Sequence, residues 1–359
     1  MKLFGKTFTK DEIRQRVGHI SQIAGIKVYT LKEGRAQDVD AIDVKTGSGL
    51  YFTVLPGRAM DIAWMEHNGR PIGFISKCGI VHSSYYHPYG YEWLRNFYGG
   101  VLTTCGLTHV GPPEKEGIWD LGLHGRVSNI PAEEVRHSTT WVGDELILTV
   151  EGKVREAVMF SDNLVLHRRI EAYGGENKVV IYDEILNEGY EDTPFMILYH
   201  MNIGFPVVDE SSELVAPIIK AIPRDEEAEK GIERYNKFEL PTPGYKEQVF
   251  FHELAEDDKG NTCAGIVNES INLGICIRYN KKELPFFTEW KMMGQQDYVV
   301  GLEPGNCVPI GRSAARQKGE LEYLKPGEKR TISLEIEILT SREEIQAYKD
   351  YVRKMLNRA

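Results

Sequence analysis

The sequence predicts an all-β protein, a large antiparallel β-sandwich with short helices at its N- and C-terminal ends. Three observations carry this reading. Apolar and polar residues alternate through many short segments, such as Ile26–Leu31 and Val39–Val44, and a period of two marks strands with one buried face. Turn pairs punctuate these segments at hairpin spacing, among them Glu33-Gly34, Asn68-Gly69 and Gly143-Asp144. Clear helical signals stand only near the two ends, apart from a charged stretch at Asp225–Glu233 that suits one or two surface turns. All-β folds often run long as one unit, so residues 1–359 are read as a single domain.

Composition narrows the function. The chain is 42% apolar and 27% charged, as soluble globular proteins are, and no apolar tract is long enough to cross a bilayer. Met1–Thr7 leads into charge rather than into an apolar run, so no signal peptide is expected. Cys78, Cys105, Cys263, Cys276 and Cys307 are odd in number, widely spaced and without a CxxC. That argues against a disulfide framework and for a reducing cytoplasm. A net charge of -10 would repel phosphate backbones, so neither nucleic acid nor membrane is an expected partner. A second copy of the chain stays open as one. No GxGxxG, Walker loop, HExxH or GxSxG occurs, and no cofactor or metal is expected.

Thr9–Glu12 forms a capping-box pattern that starts a helix over about residues 9–18. Ile26 to Ile75 reads as an antiparallel meander. Within it Arg58 and Asp61 either pair with each other or line a site, where the guanidinium would donate to ligand hydroxyls. His82–Tyr98 gathers Tyr85, Tyr86, Tyr89, Tyr91, Trp93, Phe97 and Tyr98 without a period. It reads as a loop or short helix, serving as a stacking surface or as a lid packed by its own rings. Gly99–Leu107 is a strand of small residues that can approach another backbone. Glycines flanking Leu123-His124 permit unusual backbone angles and would expose the imidazole. Cys105, His109 and His124 have no metal-motif spacing.

His200 closes the apolar run Pro194–Tyr199 and precedes Asn202 and Gly204-Phe205-Pro206. It either faces a cleft or sits in the core on a backbone carbonyl. Trp290 and Lys291 are site candidates by position; the alternative is an ordinary strand whose lysine stem lies along apolar surface. Tyr298–Leu302 is an apolar run ending in Glu303, and Pro304-Gly305 reads as a turn. Glu303 is therefore expected at the lip of a sheet, as a solvated strand end or as a positioned base. Ser341–Glu344 is a second capping box. Ile345, Tyr348, Val352, Met355 and Leu356 then share one face of a helix over about 341–357.

Leu123-His124-Gly125, Tyr199-His200-Met201-Asn202 and Leu302-Glu303-Pro304 occur in that order. In this the chain resembles the galactose-mutarotase-like superfamily, the aldose 1-epimerases and their relatives, over roughly residues 20 to 340. Gly57–Ile62, Thr103–Leu107, Leu123–Ala132 and Leu302–Asn306 narrow the likeness to a poorly characterised aldose 1-epimerase-like branch (DUF4432-like). The resemblance implies the mutarotase supersandwich and interconversion of sugar anomers by acid–base catalysis. Glu303 would be the base, His200 the acid and His124 a hydrogen-bonding partner that shares charge. Arg58, Asp61, Arg126, Asn202, Trp290 and Lys291 are the candidate sugar contacts, and the substrate is a small sugar.

The chain also departs from the pattern. The family's arginine in its Gly-rich strand has no match in Gly99–Thr104, which leaves Arg58 or Arg126 to replace it, and Tyr199 stands where an asparagine is usual. Two other readings are a sugar-binding or sensing protein without turnover and a sugar isomerase or epimerase acting at another carbon. No second acidic residue pairs with Glu303 by sequence, so two-carboxylate hydrolysis has less support.

Overall fold

In the computed structural model, which describes residues 1–358, antiparallel strands build three main sheets. The meander expected between Ile26 and Ile75 is a five-stranded sheet in chain order: Gly25–Thr30, Asp40–Lys45, Leu50–Leu55, Asp61–His67 and Arg70–Pro71. An eight-stranded sheet runs Glu133–Val142, Glu145–Ala157, Asn163–Tyr173, Lys178–Asn187, Lys329–Leu339, Leu273–Asn280, Asn261–Asn268 and Ser212–Val215. A seven-stranded sheet runs Ile218–Pro223, Gln248–Leu254, Phe286–Met293, Tyr298–Gly305, Thr193–Ile203 and Glu322–Leu324, with Thr103–Leu107 also paired to Thr193–Ile203.

The period-two pattern explains the packing. Along Glu145–Ala157 every second residue is buried, Leu146, Leu148, Val150 and Val154 among them. These side chains join Phe52, Ile62, Ile197, Ile277 and Leu334 in one apolar cluster that draws on all three sheets. A one-residue slip in any of these strands would turn its apolar set outward, so register is strongly specified.

Thr193–Ile203 is the strand that matters most for the site. One edge pairs with Thr103–Leu107, placing His200 opposite Thr103. The other pairs with Tyr298–Gly305, placing Met201 opposite Leu302. Behind it lies a buried ionic network. Arg168 donates from Nε and Nη2 to Asp183 at 2.9 and 2.7 Å, and from Nη1 to Asp61 Oδ1 at 2.7 Å and Thr104 Oγ1 at 2.9 Å. Tyr199 Oη donates to Asp183 at 2.7 Å. The network thus ties the meander to both sheets and to the strand carrying His200.

Three local expectations change. The N-terminal helix covers only Lys10–Arg14, although both arms of the Thr9–Glu12 capping box form. It buries Ile13 alone, and a single anchor does not hold further turns. The C-terminal helix, Arg342–Leu356, buries Ile345, Tyr348, Val352 and Met355 against Ala255, Cys263 and Cys276, while Leu356 stays 39% exposed at its end. Finally, Pro304-Gly305 is not a turn. The strand continues through Gly305, with Pro304 opposite Phe287 and Gly305 opposite Phe286. Glu303 therefore lies within a doubly paired strand, not at its lip.

Candidate active site

Glu303 projects from Tyr298–Gly305 and His200 from the neighbouring Thr193–Ile203, and the two meet below the sheet surface, 2% and 5% exposed. His200 Nε2 lies 3.1 Å from Glu303 Oε1. The contact is close but poorly aligned, so Oε1 makes no hydrogen bond within the protein.

The third member comes from the Gly-rich turn. His124 adopts φ +56° and Gly125 φ +76°. Here the glycine is required, because a Cβ on Gly125 would run into the carbonyl oxygens of Gly106 and His109. That close approach lets Gly106 N–H donate to His124 O at 3.0 Å and Arg126 N–H to Gly106 O at 3.0 Å. The turn is thus docked on the strand beside His200, and the two imidazoles stand 5.9 Å apart, nearly perpendicular at 89°.

Aromatic rings wall the site. Trp93 stacks on Phe97 at 4.6 Å and lies 5.1 Å from His124, and Trp290 lies 5.3 Å from His200. Glu303, His200, His124 and Trp290 line one cavity of about 560 Å³. Glu303 Oε1, His200 Nδ1 and His124 Nδ1 are all buried without a hydrogen-bond partner in the protein. Each such atom costs about 1–3 kcal/mol unless something else satisfies it, and all three belong to residues that line one cavity.

Burial sets the protonation. It pushes Glu303 well above the usual carboxylate range, helped by the Glu247 charge and opposed by Arg224. It pulls His200 down to about 4. His124 is held well below the ordinary histidine value by burial first and by His200 second. Burial therefore favours the uncharged form of the Glu303–His200 pair, with the proton on the carboxyl group and both imidazoles neutral, over the ion pair.

Two further residues in the lining escaped the sequence reading. Arg224 follows the strand Ile218–Pro223, and Glu247 stands just before Gln248–Leu254. Arg224 donates to Asp225 at 2.7 Å and to Glu247 Oε1 at 3.0 Å; Trp290 Nε1 donates to Glu247 Oε2 at 2.9 Å. Arg224 lies just before the charged stretch Asp225–Glu233 and carries no mark of its own in the sequence. Only the pairing of Ile218–Pro223 with Gln248–Leu254, continued by Arg224 N–H to Val249 O, delivers both residues to the cavity.

Five of the predicted sugar contacts do not line this cavity. Arg58 and Asp61 do not bond to each other either. Arg58 is fully buried and donates to the carbonyls of Ser128, Val81 and Asn96 at 2.6, 2.8 and 3.0 Å. Asp61 accepts from Thr104 N and Oγ1 and from Arg168. Arg126 reaches only the carbonyl of Asp120, at 3.5 Å. Asn202 donates to the carbonyls of Gly100 and His200 and so braces the strand. Lys291 falls on the face opposite Trp290, by the alternation of the strand, and donates to the carbonyls of Arg234 and Lys237 and to Glu239. The arginine that reaches the cavity is Arg224, in place of Arg58 or Arg126.

The family model described as Domain of unknown function (DUF4432) matches residues 36–338. The chain belongs to the DUF4432 family. No curated protein sequence matches this DUF4432 protein. Among solved structures it resembles a candidate aldose 1-epimerase from Klebsiella pneumoniae, with a TM-score of 0.88 and 23% identity over 94% of this chain and 90% of that one. It also resembles a galactose mutarotase-like protein from Clostridium acetobutylicum, with a TM-score of 0.62 and 16% identity over 89% and 99% of the two chains. A galactose 1-epimerase from Lactobacillus acidophilus gives a TM-score of 0.61 and 15% identity over 89% and 100%. The DUF4432 protein thus has the galactose mutarotase-like fold. No helix among its described residues is long and apolar enough to cross a membrane.

Proposed function

We propose that this DUF4432 protein is an aldose 1-epimerase-type isomerase that exchanges sugar anomers. The observation that carries the reading is the 3.1 Å contact of His200 with Glu303 at the buried end of an aromatic-walled cavity, with His124 alongside.

Anomer exchange requires one proton to leave the C1 hydroxyl and another to reach the ring oxygen. In the ionised form of the pair, Glu303 takes the hydroxyl proton while His200 donates to the ring oxygen. The C1–ring oxygen bond breaks and C1 becomes a carbonyl. The pair is then uncharged, with the proton on Glu303. After C1 rotates, Glu303 returns its proton to the carbonyl oxygen and His200 recovers one from the former ring oxygen as the bond reforms. The pair holds one labile proton in total throughout, and no metal or cofactor enters this scheme. Burial favours the uncharged form, which is the state needed opposite the open-chain sugar. His124, kept neutral, would hydrogen-bond an oxygen near C1. Trp290 would cover a sugar face, and Glu247 would accept from a hydroxyl.

The direct test is NMR exchange spectroscopy on a panel of neutral, acidic and phosphorylated aldoses. Acceleration of α/β exchange above the spontaneous rate is expected for at least one sugar. Binding without acceleration would instead point to a sugar-binding protein.

A pH profile checks the proton count. The pair works only with one proton, so kcat/KM should be bell-shaped. Its acid limb should lie near pH 4, where His200 takes a second proton. Its alkaline limb should lie above the ordinary carboxylate range, where Glu303 gives up the only one. A rate that keeps climbing into alkaline solution would contradict the scheme.

A further inference from the structure

We propose that the mouth of the cavity is a second sugar subsite, and that the preferred ligand is an uncharged reducing disaccharide. The inference rests on the sugar-binding reading above and extends it to the size and charge of the ligand.

Glu303 and His200 are 2% and 5% exposed, whereas Tyr91 and Leu94, which line the same cavity, are 62% and 50% exposed. An anomeric carbon that must reach the buried pair enters first, so the non-reducing end of the sugar is left at Tyr91 and Leu94. A cavity of about 560 Å³ falls within the range that takes drug-sized ligands. A single hexose is much smaller than that and would leave the outer part empty.

The outer part also has the right chemistry. Pro309 and Ile310 line the cavity with Tyr91 and Leu94, giving apolar surface suited to the C–H faces of a ring. A tyrosine adds a hydroxyl that can reach sugar oxygens. Large side chains left this exposed together commonly mark a contact surface.

The rings are not on a loose loop. Leu123 N–H donates to Gly90 O at 3.0 Å, and Trp93 Nε1 donates to Ser128 Oγ at 3.2 Å. A Cβ on Gly122 would lie 2.7 Å from Pro88 O, so the backbones on either side are in contact. A platform held in place in this way loses little entropy when a ligand stacks on it. Charge fixes the remaining property. Among the described residues that line the cavity, Arg224 is the one arginine, and it already pairs with Asp225 and Glu247 rather than awaiting a phosphate or carboxylate.

The test is isothermal titration calorimetry on the full chain with lactose, maltose and cellobiose against galactose and glucose. Exchange between anomers causes no net turnover, so the unmodified protein can be used. At least one disaccharide should bind about tenfold more tightly than its reducing-end monosaccharide. Tyr91→Ala should bring that ratio to about one, and Tyr91→Phe should keep most of it. Equal affinity for both sizes, a ratio untouched by Tyr91→Ala, or binding of neither sugar class would overturn the subsite. So would sedimentation showing that Tyr91→Ala dissociates a dimer while the ratio persists, since the patch would then join two copies.

Anomer exchange read in parallel separates the two proposals. A disaccharide preference without acceleration keeps the subsite and removes the epimerase. Accelerated exchange of monosaccharides with no size preference does the reverse.

Discussion

Glu303→Gln is expected to lower anomer exchange by about 10²–10⁴-fold, the usual contribution of a positioned proton-transfer group, while leaving the fold intact. The substitution keeps the size of the side chain, and Glu303 Oε1 makes no hydrogen bond within the protein for the amide to break. What disappears is the site that takes and returns the C1 hydroxyl proton. An amide can still donate to a sugar oxygen, so binding should fall much less than turnover. The split between kcat and KM is therefore the informative reading, with circular dichroism as the check on folding. A variant that binds sugar but retains more than about a tenth of the rate would place the base elsewhere.

Arg168→Met should have the largest effect on stability, about 3–5 kcal/mol, because it strands two buried carboxylates. Asp61 and Asp183 both lose their cation, and Tyr199 Oη is left on an uncompensated charge. The loss should depend on pH in a definite direction. Even beside Arg168, burial raises Asp61 to about 6, above its value in an unfolded chain. Without the guanidinium, which holds Asp61 down against its burial, the folded-state value of Asp61 rises further. A raised folded-state value contributes stability below the unfolded value that is lost as pH climbs through the folded one. The deficit of the variant should therefore be smaller at pH 5 than at pH 8 in urea unfolding. A loss under about 1 kcal/mol, or one that does not change with pH, would show that the network carries little.

The sequence and the structure agree where the signal is local. Strands are legible because apolar alternation sits in neighbouring residues, whereas Glu303, His200 and His124 are singled out by three short motifs whose order resembles the mutarotase-like superfamily, and the structure brings the three to one cavity. Trp290 was reached by position on a strand. Arg224 and Glu247 carried no such mark: they are ordinary charged residues whose meeting depends on a strand pairing between distant segments. Arg58, Asp61 and Lys291 misled for the opposite reason. Charged residues beside turns or on strands suggest a site, yet here they satisfy buried carbonyls and carboxylates, a role that sequence does not separate from ligand binding. Pro304-Gly305 misled because a turn dipeptide can also continue a strand when both neighbours hold it.

The strand Thr193–Ile203 is zipped along both edges and almost wholly buried. Its hydrogen bonds belong to the most protected class in a protein, those that open only when the whole molecule does. His200 therefore has no private route to disorder. Heat, urea or a destabilising substitution far away would leave its alignment with Glu303 unchanged until the cooperative transition, and then remove it at once.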